Sequence, residues 1–319
     1  DTFGISEHDR ILLLPPMFHA NAWGMPYSGW FSGSDIIMPG PHLQPDGIVA
    51  MVESERPTIT ACVPTILGDL LRRGRESGFD MSSFRMLICG GSAVAPAMIE
   101  AARELWDVPV LQGWGMTETS PLCALSHPPR DPGDAGETQW RAKSGRPVSG
   151  VEVRVVDDAG APLPHDGESV GELQLRGPWI TGGYHAIDAA DSFTEDGWLR
   201  TGDVGHIDGK YYVQLTDRTK DVIKSGGEWI SSVDLENELL SHPAVVEAAV
   251  IATPDERWQE RPLAIIVSED PDLTATGLEA FLRDRVAKFW VPEYWAFTSE
   301  IPKTSVGKID KKTLRASNE

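Results

Sequence analysis

Apolar positions along this chain follow two rhythms. Up to about residue 112, short apolar runs at Ile11–Leu14, Asp35–Met38, Thr58–Val63, Arg85–Cys89 and Val108–Leu111 read as strands. Between them, Pro45–Glu55, Thr65–Ser77 and Pro96–Trp106 repeat apolar residues at helical spacing, and Pro45 and Pro96 suit a first helical turn. Strand, helix, strand in this order predicts a parallel, doubly wound α/β sheet. From about 145 to 216 the segments Val151–Val156, Gly171–Arg176, Trp198–Gly202 and Tyr211–Leu215 are strands broken by glycine and aspartate, expected to form a small β-barrel or a distorted antiparallel layer. A third pattern follows: a helix over Val233–Ser241, strands near Val245–Ile251 and Leu263–Val267, and a helix over Leu278–Phe289 with Thr276 and Glu279 as a capping box. The expected domains are 1–140, 141–216 and 217–319, the last a small α+β domain, with a hinge in Thr216–Lys220.

Composition changes this picture little but narrows function. With 41% hydrophobic and 24% charged residues, the chain can build globular cores. Its 28 basic and 48 acidic residues leave a net charge of −20, which argues against sequence-independent binding to DNA, RNA or anionic lipid. No apolar run reaches the roughly 20 residues needed to cross a bilayer, and a cytoplasmic protein is expected. Cys62, Cys89 and Cys123 stand far apart among apolar neighbours, as buried free thiols do. No metal-site spacing is present, so any metal should enter with a phosphate ligand.

Candidate chemistry sits in the loops. Cys89-Gly90-Gly91-Ser92 and Gln112-Gly113-Trp114-Gly115-Met116-Thr117-Glu118-Thr119 follow consecutive strands of the parallel region. Ligands of open α/β sheets bind there. Glycines admit a flat ring or a phosphate, Trp114 offers a face, and Thr117 and Glu118 add a hydroxyl and a carboxylate; the alternative is a pair of tight turns around a core tryptophan. Asp203 could take both hydroxyls of a ribose with Arg218 bracing it, or be a turn residue beside a solvated charge run. Lys308, beside Gly307, could deliver a point charge to an oxyanion or be a surface lysine.

In this order, with Pro15-Pro16-Met17-Phe18-His19-Ala20-Asn21-Ala22-Trp23, Thr201-Gly202-Asp203, Asp217-Arg218 and Gly307-Lys308, the segments resemble the adenylate-forming (AMP-forming) acyl-CoA synthetases. Within them the medium- and long-chain fatty acyl-CoA synthetases are most similar, over about Arg10 to Arg315. The resemblance implies a ligase that uses ATP, Mg²⁺ and coenzyme A on a fatty or other carboxylic acid. Gly91, Gln112, Gly113 and Trp114 would frame adenine, Thr117 would touch the α-phosphate, and Glu118 would hold Mg²⁺. Asp203 and Arg218 would bind ribose, Lys224 would contact the nucleotide, and Lys220 would be the hinge. Lys308 would bridge the substrate carboxylate and the α-phosphate. His19, Ala20 and Trp23 would line the acyl route, Trp229 would gate it, Ser225, Gly226 and Gly227 would face CoA, and Phe18 would be core. Family members also carry a Ser/Thr/Gly-rich loop ending in Pro-Lys-Gly upstream of the matched segment, so this chain alone is expected to be inactive in ATP–pyrophosphate exchange. The resemblance leaves a homodimer and peripheral membrane contact open. A catalytically silent nucleotide- or partner-binding module, a carrier-protein ligase and a luciferase-like enzyme are the rival readings.

Overall fold

The computed structural model describes all residues except Asp1, Thr219, Lys220, Gly227, Val306 and Glu319; the side chains of Ala135, Arg218, Glu228 and Trp229 also lie outside the description. The chain divides into two compact units, residues 1–201 with 206–215, and residues 202–205 with 216–319.

In the first unit a seven-stranded sheet has the order β2-β1-β3-β4-β5-β6-β7. Its strands are β1 (Arg10–Leu13), β2 (Asp35–Ile37), β3 (Ile59–Cys62), β4 (Met86–Gly90), β5 (Val110–Gly115), β6 (Leu122–Leu125) and β7 (Arg146–Pro147). The first five pair in parallel, and β6 then reverses direction against β5. Alternate residues go to opposite faces, as the period of two requires. Ile11, Leu13, Ile59, Ala61, Ile88 and Leu111 enter one core; Leu12, Leu14, Cys62, Leu87, Cys89 and Val110 enter the other. Both faces are buried, which is why these strands read as unbroken apolar runs. Helices Pro45–Glu55, Pro64–Ser77 and Pro96–Trp106 cover the second face through Ile48, Val52, Leu67, Leu71 and Ile99.

The other face is covered by a second sheet, ordered β11-β10-β9-β8, with β8 (Glu152–Val156), β9 (Gly171–Arg176), β10 (Leu199–Ile207) and β11 (Val213–Arg218). Val153, Val155, Leu173 and Leu175 pack against Ile11, Ile88 and Leu111. Of the two forms expected for this region, a small β-barrel or an antiparallel layer, it takes the second, an open four-stranded layer. The division between the units passes through β10 and β11.

The second unit holds β12 (Ile223–Ser225), β13 (Glu228–Ile230), β14 (Val245–Asp255), β15 (Gln259–Ser268) and β16 (Tyr294–Phe297), with sheet order β13-β12-β15-β14 and β16 beside β15. Helices Ser232–Leu240 and Ala275–Leu282 pack Leu235, Leu239, Leu278 and Leu282 on one face, against Ala248, Val250, Ala264 and Ile266. Ala249, Ile251, Leu263 and Ile265 meet Ile301 and Leu314 on the other. The second of these helices corrects its sequence reading. Its cap is Thr274, whose hydroxyl accepts the Gly277 amide, and not Thr276; it ends at Leu282, and Phe289 beyond it is 44% exposed.

All three cysteines are free and buried in the first unit, with Cys62 and Cys89 in register on adjacent strands. Burial, and the neighbouring Cys62, push the Cys89 thiol above its ordinary range. Among the described residues no helix is long and apolar enough to cross a membrane.

The amino-terminal ends of β1, β3 and β4 are tied by one carboxylate. Asp9 accepts Arg85 Nε at 2.8 Å and Nη2 at 3.1 Å, the Thr58 hydroxyl at 2.6 Å and the Ser6 amide at 2.9 Å. Burial raises its pKa, but these donors outweigh burial and hold it at about 2. A carboxyl depressed on folding stabilises above its unfolded pKa, and that contribution is lost as pH falls through the folded value. Asp9→Asn should therefore destabilise the first unit at neutral pH by about 2 kcal/mol, below the usual cost of breaking a buried pair because Arg85 is partly exposed. Chemical denaturation should show the difference at pH 7 and show it shrinking between pH 4 and 2; an equal difference at both ends would remove Asp9 from this role.

Candidate functional site

The carboxyl ends of β4 and β5 approach so closely that only glycine fits. A Cβ at Gly90 would lie 2.6 Å from the Gly113 carbonyl oxygen, and one at Gly115 would lie 1.9 Å from that of Pro121. Gly91 follows with φ +85°, in the left-handed region that favours glycine. The strand β5 runs through Gln112–Gly115, which the sequence reading had placed in a loop; pairing with β6 extends it.

The turn between β5 and β6 carries the candidate chemistry. Thr119, fully buried, organises it: its hydroxyl donates to the Met116 carbonyl at 3.0 Å, approaches the Pro121 carbonyl, and accepts the Met116 amide at 2.9 Å. Thr117 is left exposed and Glu118 half-buried on a single 3-10 turn, so the interior threonine holds the two outward ones in place. The Ser120–Pro121 peptide is cis. A second loop is stitched onto this turn. The Thr181 amide donates to the Glu118 carbonyl at 2.8 Å, the Ser120 hydroxyl to the Trp179 carbonyl at 3.0 Å, and Tyr184 Oη to Glu118 Oε1 at 2.9 Å. Thr119 and Tyr184 went unassigned in the sequence; the glycine pair before Tyr184 was the available signal for a loop that comes close to its neighbour.

The segment His19–Trp23 joins the same place. Ala20, Asn21, Ala22 and Trp23 have φ of 45°, 52°, 50° and 55°, one turn of left-handed helix built without glycine. Each such residue costs about 1–2 kcal/mol. The turn is held by Ala22, fully buried with its amide on the Pro16 carbonyl at 3.2 Å, and by the Gly24 amide, which reaches the Ala20 and Asn21 carbonyls. Trp23 lies against Gly90, and a Cβ at Gly24 would stand 3.3 Å from Pro121. His19, Ala20 and Trp23 are thus carried to the ends of β4 and β5. Phe18 is not core as expected; it is 74% exposed, because the left-handed turn begins just after it and buries Ala22 instead.

Two residues expected to frame a base are committed elsewhere. Gln112 is buried with its amide oxygen on the Val94 amide at 2.7 Å and its Nε2 3.5 Å from Ser144 Oγ, so it braces the strand ends. Trp114 is 5% exposed in the sheet core, the packing alternative the sequence left open, and little of its face is available for stacking. A flat ligand here would meet the backbone of Gly91 and Gly113.

In the second unit, Asp203 is buried on β10. Arg218 ends β11 with its side chain outside the described residues, as is that of Trp229 on β13, and Lys220, the expected hinge, and Gly227 lie outside the described residues altogether. Lys224 is exposed on β12, its amide on Glu260 Oε2 at 2.8 Å. Ser225 is buried and accepts Arg261 Nη1 at 2.9 Å, so its hydroxyl serves the fold. Gly226 turns at φ +61° where a Cβ would meet Trp258 at 2.7 Å. Lys308 sits half-buried on a tight hairpin: the Thr304 amide donates to the Lys308 carbonyl at 2.7 Å, and the Lys308 amide to Thr304 Oγ1 at 3.2 Å. Three residues on, Lys311 ion-pairs with Glu236 at 2.7 Å and donates to Ser232 Oγ at 2.6 Å, while Ser232 donates to Asp217.

Among the described residues no group of three or more histidine, cysteine, aspartate or glutamate side chains gathers to hold a metal. A lone carboxylate such as Glu118 suits a hard cation that keeps most of its shell as water and phosphate oxygen.

Residues 1–185 match the AMP-binding enzyme family, and residues 234–308 the AMP-binding enzyme C-terminal domain. The long-chain-fatty-acid–CoA ligase of Thermus thermophilus is 44% identical over 99% of this chain, and the 3-methylmercaptopropionyl-CoA ligase of Ruegeria pomeroyi is 40% identical over 99%. The chain spans 59% of the length of each of these relatives. The anthranilate CoA ligase AuaEII, solved with anthranoyl-AMP, superposes with a TM-score of 0.87 at 29% identity, over 98% of this chain and 60% of that one.

The close approach at Gly115 makes a prediction. Gly115→Ala should force the turn outward, at about 1–3 kcal/mol for the inserted methyl. Deuterium exchange should quicken at the Met116 and Thr119 amides and stay unchanged at Val250; unaltered exchange at Met116 would show that the turn does not depend on this contact.

Proposed function

The chain belongs to the AMP-binding enzyme family, and on that premise we propose that the protein carrying it is an ATP-dependent ligase joining a medium- or long-chain fatty acid to coenzyme A. The observation that carries this reading is the Thr117–Thr119 turn, held by Thr119 and Gly115 beside the glycine ends of β4 and β5. The 44% identity to a fatty-acid–CoA ligase supports the acid class.

A carboxylate resists acyl transfer because its leaving group would be oxide; a mixed anhydride with AMP leaves easily. In the proposed first half-reaction the acid's oxygen attacks the α-phosphorus of ATP and pyrophosphate departs. The backbone of Gly91 and Gly113 takes the flat base, Thr117 donates to an α-phosphate oxygen, and Asp203 with Arg218 binds the ribose. Mg²⁺ entering with ATP would be held by Glu118 and would offset charge on the phosphates. The ammonium of Lys308 stabilises the charge that grows on the reacting oxygens. His19, Ala20 and Trp23 line the acyl route, with Trp229 as its gate.

In the second half-reaction the CoA thiolate attacks the acyl carbon and AMP leaves. Pantetheine needs the space Lys308 had occupied, so we assign a rotation of the small domain about Lys220 that withdraws the Lys308 hairpin and brings the Ser225–Trp229 face forward. Lys308→Ala in the complete protein should therefore slow acyl-adenylate formation by about 10²–10³-fold and leave thioester formation from supplied acyl adenylate much less affected. Separate assays of the two half-reactions decide it, and equal losses in both would defeat the assignment.

A further inference from the structure

Glu118 faces one partner that the reading above does not use. Tyr184 Oη donates to Oε1 at 2.9 Å, from the loop whose Thr181 amide is bonded to the carbonyl of the same glutamate. The tyrosine ring rests near Phe193, with centroids 6.3 Å apart. Among the described residues no lysine, arginine or histidine pairs with Glu118. The chemical character of the partner matters. A cationic partner would cancel the carboxylate's charge and compete with a metal, whereas a neutral phenol fixes its orientation and leaves the negative charge in place. With Oε1 taken by the phenol, Oε2 remains available to a cation.

We propose that Tyr184 is a positioning residue that orients the Glu118 carboxylate for a divalent cation brought in by the nucleotide. The proposal rests on the functional reading of Glu118 given above. Partners one bond removed from a ligating group set its direction, and losing them costs about 10–100-fold in metal affinity. Thr181 and Ser120 hold the loop backbone independently of the phenol, so the hydroxyl can be removed without releasing the loop.

The test is Tyr184→Phe in the complete protein, with Glu118→Gln and the double variant beside it. Mn²⁺ binding in the presence of ATP, followed by electron paramagnetic resonance, should weaken about 10–100-fold in Tyr184→Phe. The Mg²⁺ concentration for half-maximal adenylation should rise in parallel, and deuterium exchange at the Thr181 amide should stay unchanged. In the Glu118→Gln background the tyrosine substitution should add nothing further. Unaltered Mn²⁺ binding in Tyr184→Phe, an additional loss in the double variant, or faster exchange at Thr181 would overturn the positioning role. If Glu118→Gln itself leaves Mn²⁺ binding intact, the metal assignment of Glu118 fails instead, which separates the two claims.

Discussion

The contact between Gly115 and the carbonyl of Pro121 is the constraint on which the first unit's site depends. Five strands run in parallel toward one edge, and there the chain must reverse at once to send β6 back antiparallel. The reversal is so tight that a methyl group at residue 115 has no room, and its interior is filled by the Thr119 side chain. With the inside of the turn closed, Thr117 and Glu118 can only face outward. The outward placement of the Thr117 hydroxyl and the Glu118 carboxylate, the pair proposed to meet a phosphate, is thus set by backbone sterics. The left-handed turn at Ala20–Trp23 leans on the same point through Gly24 and Pro121, so its unfavourable backbone is supported by the element it serves.

Much of the architecture was legible because both faces of the main sheet are buried. Ile11–Leu14 and Arg85–Cys89 could hardly be anything but interior strands, and helices with proline in their first turn mark their own beginnings. Errors came where a choice depends on distant contacts. Two threonines precede Gly277, and only the folded chain shows that Thr274 takes the cap. Phe18 was expected in the core on the resemblance, yet the handedness of the following turn decides which neighbour is buried.

The candidate site was less legible for a related reason. Position on a glycine-rich segment says that a polar side chain could meet a ligand, not whether its hydrogen bonds are already spent. Gln112 and Ser225 spend theirs on Val94 and Arg261, whereas Thr117 stands exposed and Glu118 gives its Oε1 to Tyr184. In the second unit the same accounting explains how a lysine can be held on so short a hairpin. Lys311, tied to Glu236 and through Ser232 to Asp217, fixes the helix that begins three residues after Lys308. The hairpin is therefore anchored to the body of its unit.

The distribution of thiols gives the two units different chemical visibility. Cys62 and Cys89 lie side by side under the helices, Cys123 lies on the opposite face, and the second unit contains no cysteine. A maleimide or a disulfide reagent is therefore blind to everything that happens in residues 216–319. Its reaction rate is a clock for the opening of the seven-stranded sheet of the first unit, and the order in which the three sulfurs are consumed would tell which face is uncovered first.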